Sequence, residues 1–475
     1  MTRGSGNTLG NTLRNTTNDR IDTMVKSIVA TAAVLGTVAL ALPAQAAAQE
    51  GGTFAVQGAT IHTVADGVIE NGTIVLRDGR IIAVGRDVEI PADAEIIDGE
   101  GKHVFPGMID AFSSLGLTEI GAVAVTNDAS ELGRWNPHLN AHTAIHPASE
   151  HIPVARANGI THTMAAPGGG GRFGGGGGSG IQGQATLIHL DGWTVEEMEI
   201  EKTAAMVLGW PTLSAGGGRF GGFGGGGGGG RSFRQARERF DEQVAEMDEW
   251  FVAAQHYRQA VESGSNRVPR NIQLEHLSRV LDRGMKVIVR ANGWREIESA
   301  IEFAEKWNLD LVIAGGTGAR EIAGTLAEKN VPVILGPVQR LPQGEDTAYD
   351  DPNTLPGVLH DAGVEIAFAT FNSADSRTLP YEAANSVSWG LTKDAALEAV
   401  TLAPARVLGV DDRLGSLEVG KVGNLIVTDG DPLEITTEIE WVFIKGVPSD
   451  LDNKHRSLWE KYDNRPARRV TTTTT

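Results

Sequence analysis

A regular alternation of apolar strands and amphipathic helices constrains the fold of this chain more than any other feature. The strand patterns are rich in branched apolar residues, and they lie at 286–292, 309–316, 331–337 and 363–370. Helical patterns stand between and after them, at 295–308, 319–330 and about 382–389. Such alternation is typical of parallel βαβ units. Over about 300 residues it predicts a (β/α)8 TIM barrel, for which a doubly wound sheet is the alternative.

Both ends of the mature chain have a different, β-rich pattern. Residues 54–106 contain glycine- and aspartate-punctuated strands, and the Asp78-Gly79 pair is a strong hairpin signal. Residues 406–450 repeat this pattern with strands expected at 424–429 and 440–445. We therefore expect one small composite β-sandwich built from both segments. It would flank a barrel that spans 107–405, and a tail of 451–475 would follow it.

Charge and cysteine content exclude several classes of function. The chain has 41 basic and 60 acidic side chains, for a net charge of −19. A field of that sign repels nucleic acid and anionic lipid, so we expect neither as a partner. The 475 residues include no cysteine, which excludes disulfides, thiolate metal sites and cysteine nucleophiles.

The N-terminal region has the organisation of a secretory signal. Lys26 precedes an apolar run at 27–42, Pro43 ends it, and small residues follow as far as Ala48. A charged start, an apolar core and an A-x-A site predict a cleaved signal peptide within residues 1–48. We expect a periplasmic or secreted protein. A membrane anchor is the alternative, but the run is short for a stable span.

Two glycine-rich windows, at 168–180 and 215–230, interrupt the barrel region. Glycine has no side chain with which to build a core, so these inserts are predicted to be surface loops. The alternative is a lid or a partner-binding arm that uses the interspersed phenylalanine and arginine residues. No phosphate-binding P-loop pattern occurs in either window.

Two specific motifs carry a family resemblance. FPGMID at 105–110 follows the first β-rich segment, and TLAPARVLGVDDRLGSLEVGKVGNLIVTDGDPLE occupies 401–434. Together they resemble the amidohydrolase superfamily, especially its imidazolonepropionase-like branch. The resemblance implies a TIM barrel with a composite β-sandwich. It also implies hydrolysis assisted by zinc or another divalent metal, which acidifies a bound water.

The metal-binding residues of that superfamily are mostly missing from this chain. The family ligands are an HxH pair after PGxID, a lysine or glutamate, two histidines and a final aspartate. The corresponding positions here are Phe112, Ser114, His189, Arg290, Gly315 (or Gly316) and Phe371. Only His189 offers a good ligand atom, and a catalytic zinc site needs about three protein ligands. We therefore predict no metal cofactor.

Other residues offer substitutes for the lost site. His138, His142, His146 and His151 lie in one segment, where an i, i+4, i+8 spacing could place three of them on a helical face. Carboxylates for metal-free acid–base chemistry are available at Asp110, Glu119, Asp128 and Glu131, and Asp375 lies beyond Phe371. The alternative is that these side chains are structural or exposed.

Arg290 and His189 are the predicted ligand-binding pair, because the resemblance places both at the barrel mouth. An arginine in place of a dication could hold a carboxylate, whereas a structural ion pair with Asp375 or another barrel acid is the alternative. The sequence thus favours a non-hydrolytic, oligomeric protein that binds a small molecule or serves as partner of an active homologue. The alternative is a carbon–nitrogen hydrolase with a rebuilt site, using His189, His142 or Asp375.

Overall fold

The computed structural model describes residues 52–168, 178–213, 232–264, 268–342 and 347–465. The predicted signal peptide at 1–48 and most of both glycine-rich windows lie outside these residues. The described chain contains two eight-stranded sheets with helices around one of them. None of its helices combines the length and the apolar character that crossing a membrane requires.

The first sheet joins the two ends of the chain, as predicted. Its strands are β1 (Thr53–His62), β2 (Val68–Arg77), β3 (Arg80–Gly85), β4 (Ala94–Asp98), β5 (His103–Pro106), β14 (Leu425–Thr428), β15 (Ile439–Ile444) and β16 (Val447–Pro448). The order is β16-β15-β14-β5-β1-β2-β3, and β4 pairs with β1. Val56 and Ile61 from the N-terminal segment share a buried core with Leu425 and Phe443 from the C-terminal segment.

Two tight turns of this sheet contact each other. Asp78-Gly79 joins β2 to β3 and Lys445-Gly446 joins β15 to β16, with all four residues at positive φ. Both central residues of a type I′ hairpin turn need positive φ, which glycine adopts without steric cost. A Cβ on Gly446 would lie 2.9 Å from the Gly79 Cα, so the close approach also requires glycine.

The second sheet is the barrel. Its strands are β6 (Met108–Ser113), β7 (Ile160–Ala165), β8 (Gly180–His189), β9 (Glu199–Gly209), β10 (Lys286–Ala291), β11 (Asp310–Gly315), β12 (Val333–Leu335) and β13 (Ile366–Phe368). They follow one another in chain order from β6 to β13. Just beyond β13, the Phe371 N–H donates a hydrogen bond to the Phe112 carbonyl at 2.9 Å, which links the last strand region to the first.

The direction of one strand contradicts the prediction that the barrel consists of parallel βαβ units throughout. β8 is antiparallel to both β7 and β9, whereas the other neighbouring pairs are parallel. Parallel neighbours need a crossover connection, usually a helix, but antiparallel neighbours do not. The link from β7 to β8 contains the first glycine-rich window rather than a helical pattern, so the chain returns in the opposite direction.

Most of the helices pack around the outside of the barrel. They are α1 (His151–Arg156), α2 (Val195–Met198), α3 (Phe233–Glu262), α4 (Ile272–Leu277), α5 (Trp294–Trp307), α6 (Ala323–Glu328), α7 (Asp351–Asp361), α8 (Leu379–Val387), α9 (Lys393–Glu398), α10 (Leu402–Leu408) and α11 (Lys454–Asp463). Helix α3 buries a stripe that includes Phe240 and Phe251. The Phe251 ring packs edge-on to Phe303 of α5 at 4.9 Å.

The barrel interior is lined mainly by small and branched side chains. Its buried cluster includes seven alanines that lie in the strands or directly after them, at Ala111, Ala166, Ala185, Ala205, Ala314, Ala367 and Ala369. The larger aromatic side chains of the helix layer, such as Trp210 and Phe303, belong to a separate cluster outside the sheet. The exceptions lie at the C-terminal end of the parallel strands, where Phe112 and Phe371 join the interior cluster.

Candidate ligand site at the barrel mouth

The barrel mouth, at the C-terminal ends of β6, β10 and β13, holds an aromatic pair with a guanidinium group above it. Phe112 and Phe371 stack with ring centroids 4.8 Å apart and planes 23° from parallel. The guanidinium carbon of Arg290 lies 5.9 Å from the Phe112 ring centroid, within the range of a cation–π contact. Arg290 lies two residues after the buried Ile288 of the interior cluster, so both side chains are on the face of β10 that points into the barrel.

Arg290 has a hydrogen-bond partner but no counter-ion in the described part of the chain. Its Nη1 donates to the carbonyl of Gly168, at the start of the first glycine-rich window. Burial lowers the pKa of Arg290, because removing the guanidinium from water disfavours its charged form. No ion pair joins it to Asp375, whose carboxylate accepts a hydrogen bond from Asn372 Nδ2 at 3.0 Å. The alternative, a structural ion pair with Asp375 or another barrel acid, is thus not formed within the described residues.

Phe371 adopts a strained backbone conformation. Its φ is +58°, in the left-handed region that residues with a Cβ rarely enter. The strain is maintained by the Phe371 N–H bond to Phe112 and by the stacking of the two rings. Strained residues of this kind concentrate at functional sites, where surrounding contacts over-determine them. Sequence patterns did not reveal this feature, since phenylalanine has no particular preference for positive φ.

The residues at the mouth do not fit a divalent metal. Ser114 is buried and its carbonyl accepts the turn N–H groups of Leu117 and Thr118. Gly315 offers no ligand, and Gly209, which pairs with Arg290 at the end of β9, offers none either. Within the described ranges, no group of three or more histidine and carboxylate side chains is placed to hold an ion. We therefore derive no chemical step through a metal.

His189 lies at the opposite end of the barrel from Arg290, which corrects its predicted placement at the mouth. It ends β8, but β8 runs in the reverse direction, so its end meets the beginning of β7. There the His189 ring lies 5.1 Å from the His162 ring. The structure therefore does not bring the two predicted ligand-binding residues together.

His162 forms a buried connection between the barrel and the first sheet that sequence analysis missed. Asn424 Nδ2 donates to its Nε2 at 2.6 Å, and its Nδ1 lies 2.7 Å from Thr161 Oγ1. With Nε2 as acceptor, Nδ1 carries the proton and donates to Thr161. Burial lowers the pKa of His162 to about 3, so the ring is neutral. The alternation of His162, Met164 and Ala166 along β7 was the available signal that this side chain points inward.

The histidine-rich segment does not form the shared helical face considered above. His142 Nε2 lies 2.8 Å from a Glu199 carboxylate oxygen, and His151 Nε2 lies 2.9 Å from the Glu119 carbonyl. His146 is exposed, and only residues 141–144 form a short 3-10 turn. These side chains therefore have separate local contacts.

Asp110 is the one fully buried side chain among the candidate carboxylates. Its side chain accepts hydrogen bonds from the Thr370 hydroxyl at 2.5 Å and the Thr370 N–H at 3.1 Å. Complete burial raises its pKa to about 7, because desolvation outweighs those bonds. The contact ties β6 to the segment after β13. Glu119 and Asp128 lie in the following loop, and Glu131 is exposed.

Comparisons with known proteins agree with this architecture. The family model described as "Amidohydrolase family" matches residues 257–449. A crystal structure of an amidohydrolase from Thermotoga maritima superposes with a TM-score of 0.70 and 25% identity, covering 83% of this chain and 99% of that one. The chain therefore resembles the amidohydrolase superfamily in both sequence and fold.

Superfamily relatives of known name are distant in sequence. Imidazolonepropionase of Geobacillus kaustophilus is 24% identical over 76% of this chain and 84% of its own length. Amidohydrolase tasK of Hapsidospora irregularis is 24% identical over 80% of this chain, which spans only 39% of that protein's length. A prolidase structure crystallised with N-methylphosphonate-L-proline has a TM-score of 0.52 and 16% identity, and shows the fold alone.

Proposed function

We propose that this protein is a non-hydrolytic member of the amidohydrolase superfamily that binds a small anionic ligand at the barrel mouth. The observation that carries the proposal is Arg290, a partly buried cation with no carboxylate partner in the described part of the chain. Its remaining guanidinium N–H groups have the geometry to hold a carboxylate by two hydrogen bonds.

The energetics of burial support an anionic ligand. An unpaired charge removed from water is costly, so such a group is normally compensated by a counter-ion or by hydrogen bonds. The Gly168 carbonyl and the Phe112 ring compensate Arg290 only in part. An anion would complete the compensation, and the stacked Phe112–Phe371 pair would provide apolar contact for its organic part.

Calorimetric titration with carboxylates tests the proposal. The probes are acetate, benzoate and glutarate, with Arg290→Met compared against wild type. We expect the variant to bind at least about tenfold more weakly, since a charge-assisted bidentate contact is lost. Arg279→Met, which removes an exposed arginine, is the matched control and should bind like wild type. Equal affinities in Arg290→Met and wild type would overturn the anion site.

The competing function is hydrolysis of carbon–nitrogen bonds by a rebuilt site, and it gives a different result. Elemental analysis of untagged protein after metal soaking should find less than about 0.1 equivalents of zinc, manganese, iron or nickel if no family-type metal site remains. One or two tightly held equivalents, together with turnover of cyclic amides or dipeptides, would contradict the non-hydrolytic proposal.

Export and partnership remain proposals that accompany this function. The charged start, apolar run and small residues before Gln49 support a periplasmic or secreted location. N-terminal sequencing of the protein from its native cell would identify the mature end, expected after Ala46 or Ala48. Retention of residues 27–42 would contradict cleavage. An active homologue as partner is supported only by the loss of ligand positions, and co-purification tests it.

A further inference from the structure

The C-terminal helix α11 presents aromatic side chains that nothing in the described chain covers. None of its residues is buried, and Trp459 and Tyr462 are 66% and 61% exposed. Leu458 on the same helix is 39% exposed. The helix is nevertheless well capped at its start, where the Asn453 side chain accepts hydrogen bonds from the His455 and Arg456 N–H groups. Exposed aromatic clusters on an ordered helix are typical of interaction surfaces.

The charge of this region is opposite to that of the rest of the chain. Residues 451–475 contain six basic and three acidic side chains, whereas residues 1–450 contain 35 basic and 57 acidic ones. An acidic surface is therefore the complementary partner for α11, and a second copy of this chain provides one. The same acidic body repels anionic lipid, which disfavours a membrane surface as the partner.

A groove between α3 and α5 has the shape and charge to receive such a helix. It is a cavity of about 550 Å³, and Phe240, Trp294 and Phe303 form part of its lining. Glu298 and Glu302 also line it, and neither carboxylate has an ion pair or hydrogen bond within the described ranges. The lining is mixed and also includes basic side chains: Arg237 and Lys306 are paired with Asp241 and Asp248, and Arg295 stacks on Trp294. The two unpaired carboxylates beside Trp294 suit an aromatic helix that carries Arg456 and Lys461.

We propose that α11 of one copy docks into the α3–α5 groove of a second copy, with Trp459 and Tyr462 as its apolar anchors. Reciprocal exchange of the two helices would close a symmetric dimer, whereas a one-way contact would build an open chain. This surface lies apart from Arg290, so the proposal does not depend on the ligand site.

Light scattering coupled to size-exclusion chromatography tests the proposal on the full mature chain. We expect a concentration-dependent dimer, and we expect Trp459→Ser with Tyr462→Ser to raise its dissociation constant by about thirtyfold. Circular dichroism and melting of the variant check that its fold is kept, and Trp193→Ser, an exposed tryptophan outside the helix, is the control. A wild-type chain that is monomeric at every concentration would overturn the proposal.

Charge exchange identifies the groove as the receiving surface. Glu298→Lys with Glu302→Lys should weaken the dimer, and adding Arg456→Glu with Lys461→Glu should restore it. Glu321→Lys with Glu328→Lys, on the exposed surface near α6, controls for general charge effects. A dimer that the groove variant leaves unchanged contradicts the docking. If the protein were instead monomeric and co-floated with anionic vesicles, and the α11 variant did not, a membrane would be the partner and the docking proposal would be wrong.

Discussion

At the scale of single residues, Phe371 combines a strained backbone with a favourable ring contact. Its φ of +58° costs an L-residue about 1 kcal/mol or more, while glycine adopts this conformation freely. The ring stacks on Phe112, which supports the cation–π contact of Arg290. Replacing Phe371 by glycine or by alanine removes the same ring. The two variants therefore differ chiefly in the cost of the positive φ at this position.

We expect Phe371→Gly to be more stable than Phe371→Ala by about 1 kcal/mol, because only the glycine variant relieves the strain. Urea denaturation of both variants measures the difference. The matched pair is Val252→Gly and Val252→Ala within α3, where alanine should be the more stable by a similar amount. An alanine preference at both positions would show that Phe371 is not strained.

At the scale of elements, the reversed strand β8 makes the first glycine-rich insert dispensable for folding. The flanking residues are independently fixed: Gly168 accepts a hydrogen bond from Arg290, and Gly178 accepts one from Gln182 Nε2 at 3.1 Å. Antiparallel neighbours can be joined by a short loop, whereas parallel neighbours need a long crossover.

Replacing residues 169–177 with a short Gly-Ser linker should therefore leave the melting temperature within about 2 °C of wild type, because loop length has a small entropic effect. Differential scanning calorimetry measures it. Replacing residues 295–306 of α5, which buries Ile297 and Ile301 on the barrel, with the same linker is the comparison and should prevent folding. If the chain with residues 169–177 replaced also failed to fold, the insert would contribute contacts of its own.

The same strand shows which parts of the fold the sequence predicts. Strands β10–β13 and helix α5 lie where the apolar periodicity predicts them, because the spacing of their apolar residues matches the face that each element buries. An apolar run such as 180–189 looks the same in either direction, and only its connections set its orientation. Arg290 therefore lies at the end of a parallel strand, at the mouth, whereas the reversed strand carries His189 to the other end. The positive φ of Phe371 depends on tertiary contacts that no local pattern contains.

At the scale of the whole molecule, buried titratable groups couple folding to pH. His162 and His189 are fully buried with lowered pKa values, chiefly through desolvation. Asp110 has the opposite behaviour, since burial raises its pKa to about 7. Below about pH 6.5 both histidines bind a proton in the unfolded chain but stay neutral in the folded chain. Asp110, in contrast, binds a proton in the folded chain and stays ionised in the unfolded one. For these three groups, stability falls as the pH falls towards about 4.

His162 should account for a measurable part of that loss, because its folded pKa of about 3 lies far below the unfolded value of about 6.5. Between about pH 6 and 4, the free energy of unfolding should fall less steeply in His162→Gln than in wild type. The two slopes should differ by about 1.4 kcal/mol per pH unit. Urea denaturation across that range measures both slopes. Losing the Asn424 hydrogen bond lowers the stability of the variant equally at every pH, so it does not change the slope. His146→Gln removes an exposed histidine and should keep the wild-type slope. If His162→Gln also kept the wild-type slope, the His162 imidazole would have the same protonation in the folded and unfolded chains. That result would contradict a neutral, buried His162 between the barrel and the first sheet.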